Sequence, residues 1–327
     1  MNAIKTLTGL AFNSIADKSI VDAAIASGIF FPYSCKTGRC KTCKCKVVAG
    51  ETALLADELG LTEAEKVDGW ILGCVRKPMS ELTISAPGVS KFEMPQAKMH
   101  PCRISSLEPL STDVIKVTLR LPPNNQLQYY AGQYIDVIKG DIRRSYSVAN
   151  AHTKDGQIEL HIKRFNGGKM SEYWFEQAKV NDLLRLNGPL GTFFLRDYSG
   201  KDLIFLATGT GFAPVKAILE GLSQAKSEDL PRSIRVYWGG RKASDLYSLT
   251  PDIGFPYIFK RVLSRGADGD AQGYVQNVCL SDVADFQNAQ VFACGANAMI
   301  EDARSLLVKA GLQEAEFYSD AFVCSAS

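Results

Sequence analysis

Cys35, Cys40 and Cys43 stand in the run C-x4-C-x2-C, and a fourth cysteine, Cys74, closes the apolar stretch Trp70-Ile71-Leu72-Gly73. With this spacing one tight loop can wrap three thiolates around an edge of a [2Fe–2S] cluster while the fourth arrives from elsewhere in the chain. Gly38 fits the same reading, since backbone N–H groups must come close to the cluster sulfurs where a Cβ would obstruct. Zinc or buried free thiols are the competing uses of such residues. Zinc knuckles favour two C-x2-C pairs, whereas one such pair and a wider step occur here. The chemistry expected is one-electron transfer.

Two further segments carry the residue types of a flavin site. In Arg144-Ser145-Tyr146-Ser147 a tyrosine ring can cover one face of an isoalloxazine, Ser147 can bond its N5 edge, and Arg144 can pair with a diphosphate. Alternating polar and aromatic residues also suit any half-exposed strand. Gly167-Gly168-Lys169-Met170-Ser171 precedes an expected helix, where small residues let backbone donors approach a phosphate. A hairpin turn feeding an amphipathic helix would look alike, so it is the two segments in this order that single out a flavin. A third segment, Gly209-Thr210-Gly211-Phe212-Ala213-Pro214, reads G-x-G-x-x-P and departs from the dinucleotide fingerprint at its last position. A glycine-rich strand-to-helix turn still admits a nucleotide. Cys294-Gly295 ends a later apolar strand, on the side of a parallel sheet where ligands collect. Cys294 can touch a nicotinamide there, or it can be a small core residue.

These segments need elements to hold them. The chain has 327 residues, enough for two or three domains. Residues 1–88 read as a small α+β unit, with strand-like runs at Ile4–Phe12, Cys45–Val48 and Glu81–Ile84. Its helix is expected from Ile20 to Ser27, with Ser19 as N-cap and Gly28 as the stop. The proline-rich stretch 89–101 reads as a linker. Residues 102–198 hold period-2 runs at Asp113–Leu121, Gln133–Val137, Ser145–Ala149, Ile158–Arg164 and Leu183–Leu186, with one helix at Met170–Gln177. Strands in succession imply an antiparallel barrel. From 199 to 327 apolar strands at Leu203–Ala207, Ile234–Trp238, Tyr257–Leu263 and Gln290–Cys294 alternate with helices, one of them Ala298–Ala310. That grammar implies an α/β module with a parallel sheet.

A net charge of +2 and the lack of a basic tract argue against a nucleic-acid partner. No apolar run reaches membrane-spanning length, and no signal peptide is recognisable. Cysteines in an odd number, nine, one cluster motif and no export signal predict a cytoplasmic protein.

The chain resembles the ferredoxin–NADP reductase superfamily, in the version carrying an N-terminal plant-type ferredoxin. The resemblance rests on the cysteine motif, on Arg143-Arg144-Ser145-Tyr146-Ser147 and on the glycine–serine segment before the barrel helix. Leu121-Pro122-Pro123, the run from Gln128 to Asp136, the run from Asn187 to Phe194 and the ending Tyr318-Ser319-Asp320-Ala321-Phe322-Val323 are similar to reductases of the CDP-6-deoxyglucoseen type. Lys41 departs from the pattern, since many relatives place glycine after the second cluster cysteine. The resemblance implies a β-grasp ferredoxin domain, an FAD barrel and a nicotinamide-binding domain. It implies that Arg144, Ser145, Tyr146, Ser147, Ile162, Lys163, Gly168, Met170 and Ser171 hold FAD. Gly209, Thr210, Gly211, Pro214, Ser264, Arg265, Cys294 and Gly295 would then hold the nicotinamide cofactor, with Phe322 beside the flavin.

A nicotinamide gives up two electrons as hydride and a [2Fe–2S] cluster accepts one, so FAD between them is a chemical requirement. The expected cofactors are therefore the cluster, FAD and NADH, with NADPH open because Ser264-Arg265 resembles a 2′-phosphate grip. The cluster loop is basic, with Lys36, Arg39, Lys41, Lys44 and Lys46, and is expected to steer an acidic acceptor enzyme. That acceptor would be a CDP-4-keto-6-deoxyglucose 3-dehydrase or, alternatively, an oxygenase component. A third reading is a non-catalytic redox sensor switching through the cluster or through Cys45 and Cys294.

Overall fold

The computed structural model describes residues 2–226, 229–247 and 251–322, so that Val323 lies outside it. The chain divides into two compact units. One runs to Met94 and takes in the end of the last strand from Ser319; the other is Pro95–Tyr318.

In the first unit a five-stranded sheet runs in the order Ala11–Asn13, Ala3–Thr6, Leu82–Ser85, Lys44–Ala49, Trp70–Leu72. Only the pairing of Ala3–Thr6 with Leu82–Ser85 is parallel. The run expected over Ile4–Phe12 is thus a hairpin rather than one strand. The helix Ile20–Ala26 buries Ile20, Val21, Ala23 and Ala24 in the core. Its start is fixed as the sequence implies: Ser19 Oγ accepts from the Asp22 amide. A second short helix, Glu63–Val67, begins with a full capping box between Thr62 and Glu65. Ser90–Lys91 pairs with Ile29–Phe30, so the segment expected to be a linker is partly structured.

The second unit opens on the strand Lys98–Pro109, whose first residues were also expected to be linker. Pro101 sits where this strand has a partner on one side only, so its missing N–H breaks no ladder bond. The antiparallel sheet runs Ile142–Ser147, Tyr134–Lys139, Leu183–Leu190, Lys98–Pro109, Val114–Arg120, Ile158–Lys163. A bridge between Val148 and Leu160 brings its two edges together around an apolar core. The barrel helix is a single α-turn, Lys169–Glu172, widened into a π-turn over Tyr173–Gln177.

The last sheet runs Ala271–Gln272, Ile258–Leu263, Ser233–Gly240, Asp202–Thr208, Ala289–Ala296, Phe317–Phe322. The pairings among its first five strands are parallel. Asp202–Thr208 comes first in the chain; successive strands are added on one side of it and then on the other. Its carboxyl end is therefore a topological switch point, where open α/β sheets bind ligands. Among the described residues no helix is long and apolar enough to cross a membrane.

Candidate cofactor sites

The cysteine loop is shaped by backbone conformations that few side chains accept. Gly38 has φ +72°, and a Cβ there would lie 2.3 Å from the Asp57 carbonyl oxygen. With that contact allowed, the Gly38 amide donates to the Cys74 sulfur, and the amides of Thr37 and Arg39 donate to Cys35. Such N–H···S bonds stabilise thiolate charge. The sulfur of Cys40 donating to it, opposed by burial and helped by Thr37 and by these amides, brings Cys35 down to about 5. Cys40 is pushed well up by the same bond and by burial. Cys43 and Cys74 form a second pair of this kind. Four sulfurs in two pairs suit two irons with two cysteines each. Among the described residues no three histidine, cysteine or acidic side chains converge on one point, which is what a single zinc would need. The donor set fits a binuclear cluster.

Cys45 is a neighbour of another kind. It is fully buried, and burial first and the charge of Glu58 second push its thiol up to about 12. Cys294 is fully buried too, in the core of the last module. Neither is placed for solvent thiol chemistry.

The basic loop is largely neutralised within its own unit. Lys36 pairs with Asp22 at 2.7 Å, Lys46 with Asp68 at 2.8 Å, and Lys41 and Lys44 share Glu65 at 3.3 and 2.8 Å. The Lys44 ammonium also lies 4.2 Å from the centroid of the Trp70 ring.

On the barrel, strand alternation sorts the second motif. Ser145 and Arg143 share one face, where both donate to the Asp136 carboxylate. Arg144 and Tyr146 occupy the other face. The Tyr146 hydroxyl accepts from Trp174 Nε1 at 3.0 Å, and burial pushes it up to about 12. Ser147 is buried at the strand's end. Gly168 caps the following helix without a side-chain bond, while Ser171 Oγ accepts from the Phe165 amide at 2.6 Å. Met170 and Ile162 are core residues, and Lys163 is exposed. The arrangement offers an aromatic face, a guanidinium and uncapped helix amides, which is the donor set of a flavin diphosphate.

At the switch point a cavity of about 680 Å³ opens on the carboxyl ends of the parallel strands. Of the residues expected there, Gly209 and Ser264 line it, and Lys163, expected at the flavin, joins them from the barrel. Gly211 and Gly295 serve close approach instead: a Cβ on Gly211 would meet the Cys294 carbonyl oxygen at 2.3 Å, and one on Gly295 would meet Thr208 Oγ1 at 2.2 Å. Thr210 belongs to the same short 3₁₀ turn. Pro214 is buried in the first turn of Phe212–Leu222, and Arg265 is exposed. Sequence reasoning missed Gly239, Gly240, Arg241, Tyr274 and Gln276, all on the cavity wall. The doublet Gly239-Gly240 at the end of an apolar strand was the available signal. Gln276 donates to Asp302 at 2.7 Å, but its Oε1 is buried without a hydrogen-bond partner. Phe322 ends the last strand and is 38% exposed.

Three family models match successive segments of the chain. A 2Fe-2S iron-sulfur cluster binding domain matches residues 6–79, an oxidoreductase FAD-binding domain 101–195, and an oxidoreductase NAD-binding domain 205–305. The CDP-6-deoxy-L-threo-D-glycero-4-hexulose-3-dehydrase reductase of Yersinia pestis is 39% identical over 97% of each chain. The toluate 1,2-dioxygenase electron transfer component of Pseudomonas putida is 30% identical over 94% of each. Among solved structures, the Amycolatopsis cytochrome P450 reductase GcoB superposes with a TM-score of 0.76 at 26% identity, covering 98% of this chain and 99% of that one.

Proposed function

Since the chain belongs to the ferredoxin–NAD(P)H reductase superfamily, as an oxidoreductase with a [2Fe–2S] cluster, FAD and an NAD(P)H site, we propose that it supplies single electrons to a dehydrase of 3,6-dideoxyhexose synthesis. The acceptor would hold a CDP-4-keto-6-deoxyglucose, and the electrons would complete removal of its C3 hydroxyl. The observation that carries this is the 39% identity, over nearly the full length of both chains, to a reductase whose name specifies that dehydrase. The FAD supplies, when bound, the conversion of a two-electron donor into a one-electron one.

The chain's own residues bind, orient and exclude water. Tyr146 and Ser147 would face the flavin ring, with Arg144, Gly168, Met170 and Ser171 around its diphosphate. Gly209, with Gly239 and Gly240 on the same cavity wall, would meet the nicotinamide nucleotide. Cys294, with Gly211 and Gly295, would shape the floor under it. Ser145, whose hydroxyl is taken up by Asp136 together with Arg143, would brace the strand rather than touch the cofactor. We infer NADH as donor: Asp245 and Asp302 line the cavity, Arg241 is paired with Asp245 at 3.2 Å, and Arg265 is exposed. A 2′-phosphate would bring two negative charges against those carboxylates.

The test is reconstitution of the purified reductase with a CDP-hexulose dehydrase and its sugar nucleotide, beside a parallel mixture with a dioxygenase component. Sugar-dependent oxidation of NADH, faster than that of NADPH, is expected in the first. Turnover in the second alone would transfer the assignment to an oxygenase, a reading favoured by the 30% identity to the toluate dioxygenase component.

A further inference from the structure

Glu58 has no part in the cysteine motif, yet it is the one buried carboxylate among the described residues before Met94, with 5% of its surface exposed. Burying a carboxylate is costly unless each oxygen finds a donor. Here both do. Oε1 accepts from the Leu72 amide at 2.7 Å, and Oε2 pairs with Arg76 Nη2 at 2.7 Å. Arg76 Nη1 in turn donates to Thr52 Oγ1 at 3.1 Å.

The backbone around these groups shows what the pair braces. Leu72 opens the tight turn that carries Cys74: the Val75 amide bonds the Leu72 carbonyl at 3.0 Å, and the Gly73 amide bonds that of Cys43, also at 3.0 Å. On the other side Gly60, two residues after Glu58, donates to the Gly38 carbonyl at 2.8 Å. Asp57, immediately before Glu58, has its carbonyl oxygen in the space that a Cβ on Gly38 would take. One side chain thus links the turn of the Cys43–Cys74 pair to the loop of the Cys35–Cys40 pair.

We propose that Glu58 and Arg76 act together as positioning residues for the cluster, fixing the spacing of the two cysteine pairs and placing a balanced carboxylate–guanidinium charge pair beside the iron site. The inference rests on the reading that these four cysteines hold a [2Fe–2S] cluster. It adds that the outer contacts of that cluster run through this ion pair. Because the two charges are opposite, removing either one should move the midpoint potential in opposite directions. General damage to the fold would move both the same way.

The experiment uses the full-length holoprotein and its Glu58→Gln, Arg76→Gln, Arg76→Lys and Glu58→Gln/Arg76→Gln variants. It reads the cluster potential by dye-mediated titration, the EPR anisotropy of the reduced cluster, and the rate of iron loss to a chelator. Glu58→Gln, which keeps an acceptor for Leu72, should raise the potential, and Arg76→Gln should lower it. The double variant should return towards wild type, and Arg76→Lys should match it. Iron loss should quicken by roughly tenfold in the single Gln variants, as for outer-sphere partners generally. Flavin reduction by NADH should be unchanged throughout. If a Gln variant purifies without iron, recovery of wild-type iron and potential by Arg76→Lys supports the proposal, and an equal loss in Arg76→Lys overturns it. Potentials that stay put, or move together, also overturn it. A wild-type chain without a cluster signal would instead sink the four-cysteine reading itself.

Discussion

Lys41 holds a left-handed backbone conformation, φ 58°, directly after the second cluster cysteine. A Cβ in that region costs about 1–2 kcal/mol, which is why glycine suits the position, though glycine's looser unfolded chain takes back about half of any gain. Lys41→Gly is therefore expected to stabilise the first unit by about 0.5 kcal/mol, read as a higher denaturant midpoint at unchanged slope. A lower midpoint would show that the ion pair with Glu65 outweighs the strain. The cysteines make a sharper prediction. Cys74→Ala should abolish iron binding, whereas Cys45→Ala should leave iron content and the visible spectrum intact, since Cys45 is a neutral core thiol pushed up to about 12. An equal loss in both would remove the distinction drawn between ligand and core. The four candidate ligands stand out in the sequence because three lie within one loop, and their spacing is local information. Glu58 was not legible, because its meaning depends on Leu72 and Arg76, brought to it by folding.

Among the elements, the strand Ile158–Lys163 and the helix Phe212–Leu222 are tied together by charge. Lys216 reaches Glu159 at 3.1 Å, Glu220 at 2.6 Å and the Ala149 carbonyl at 3.0 Å; Glu220 also accepts from the Ala151 amide. His161 shares Glu159 at 2.8 Å and contacts the Tyr247 hydroxyl at 3.2 Å. Burial pushes His161 below its ordinary 6.5, so at neutral pH it bonds Glu159 as a neutral donor, and Lys216 supplies the charge. Glu159 is pushed up by burial, but these partners bring it down to about 2 from 4.5. Both shifts have the same sign for stability. A depressed carboxylate stabilises the fold above its unfolded value and loses that contribution as pH falls from about 4.5 towards 2. A buried neutral histidine adds loss below 6.5, because the unfolded chain then binds the extra proton. Lys216→Met should cost about 2 kcal/mol at pH 7, as for a half-buried pair broken on one side. Glu159→Gln should flatten the acid limb of the stability profile below pH 4.5. An unflattened limb would place the acid sensitivity elsewhere. None of this network was legible, since period-2 patterning identified the strand but not the helix it meets. The strand Lys98–Pro109 was missed for a related reason: Pro101 reads as a breaker until its one-sided pairing is known.

For the whole molecule, the question is how a protein of net charge +2 finds an acceptor. The sequence counts five basic residues around the cluster and invites long-range attraction to an acidic partner. The fold pairs Lys36, Lys41, Lys44 and Lys46 with Asp22, Glu65 and Asp68. Three carboxylates offset most of the five basic charges while leaving each lysine in place, and a surface of reduced charge steers diffusing partners more weakly. Glu65 is the hinge of this cancellation because it faces two lysines. Burial opposes its ionisation, but Lys44, the Thr62 amide and Lys41 bring it down to about 2, so it remains charged at any physiological pH. Glu65→Gln keeps the capping-box geometry that starts Glu63–Val67, since glutamine serves that role as well. The variant should therefore take the shared carboxylate from both lysines, a net gain of one positive charge, without unfolding the helix. Reduction of an anionic one-electron acceptor should accelerate at low salt and decline more steeply with ionic strength than in wild type, over the range where the Debye length falls from about 30 to 10 Å. A wild-type protein whose salt dependence already equals that of Glu65→Gln would mean that the lysines act at long range despite their partners. The basic loop would then be a steering surface after all.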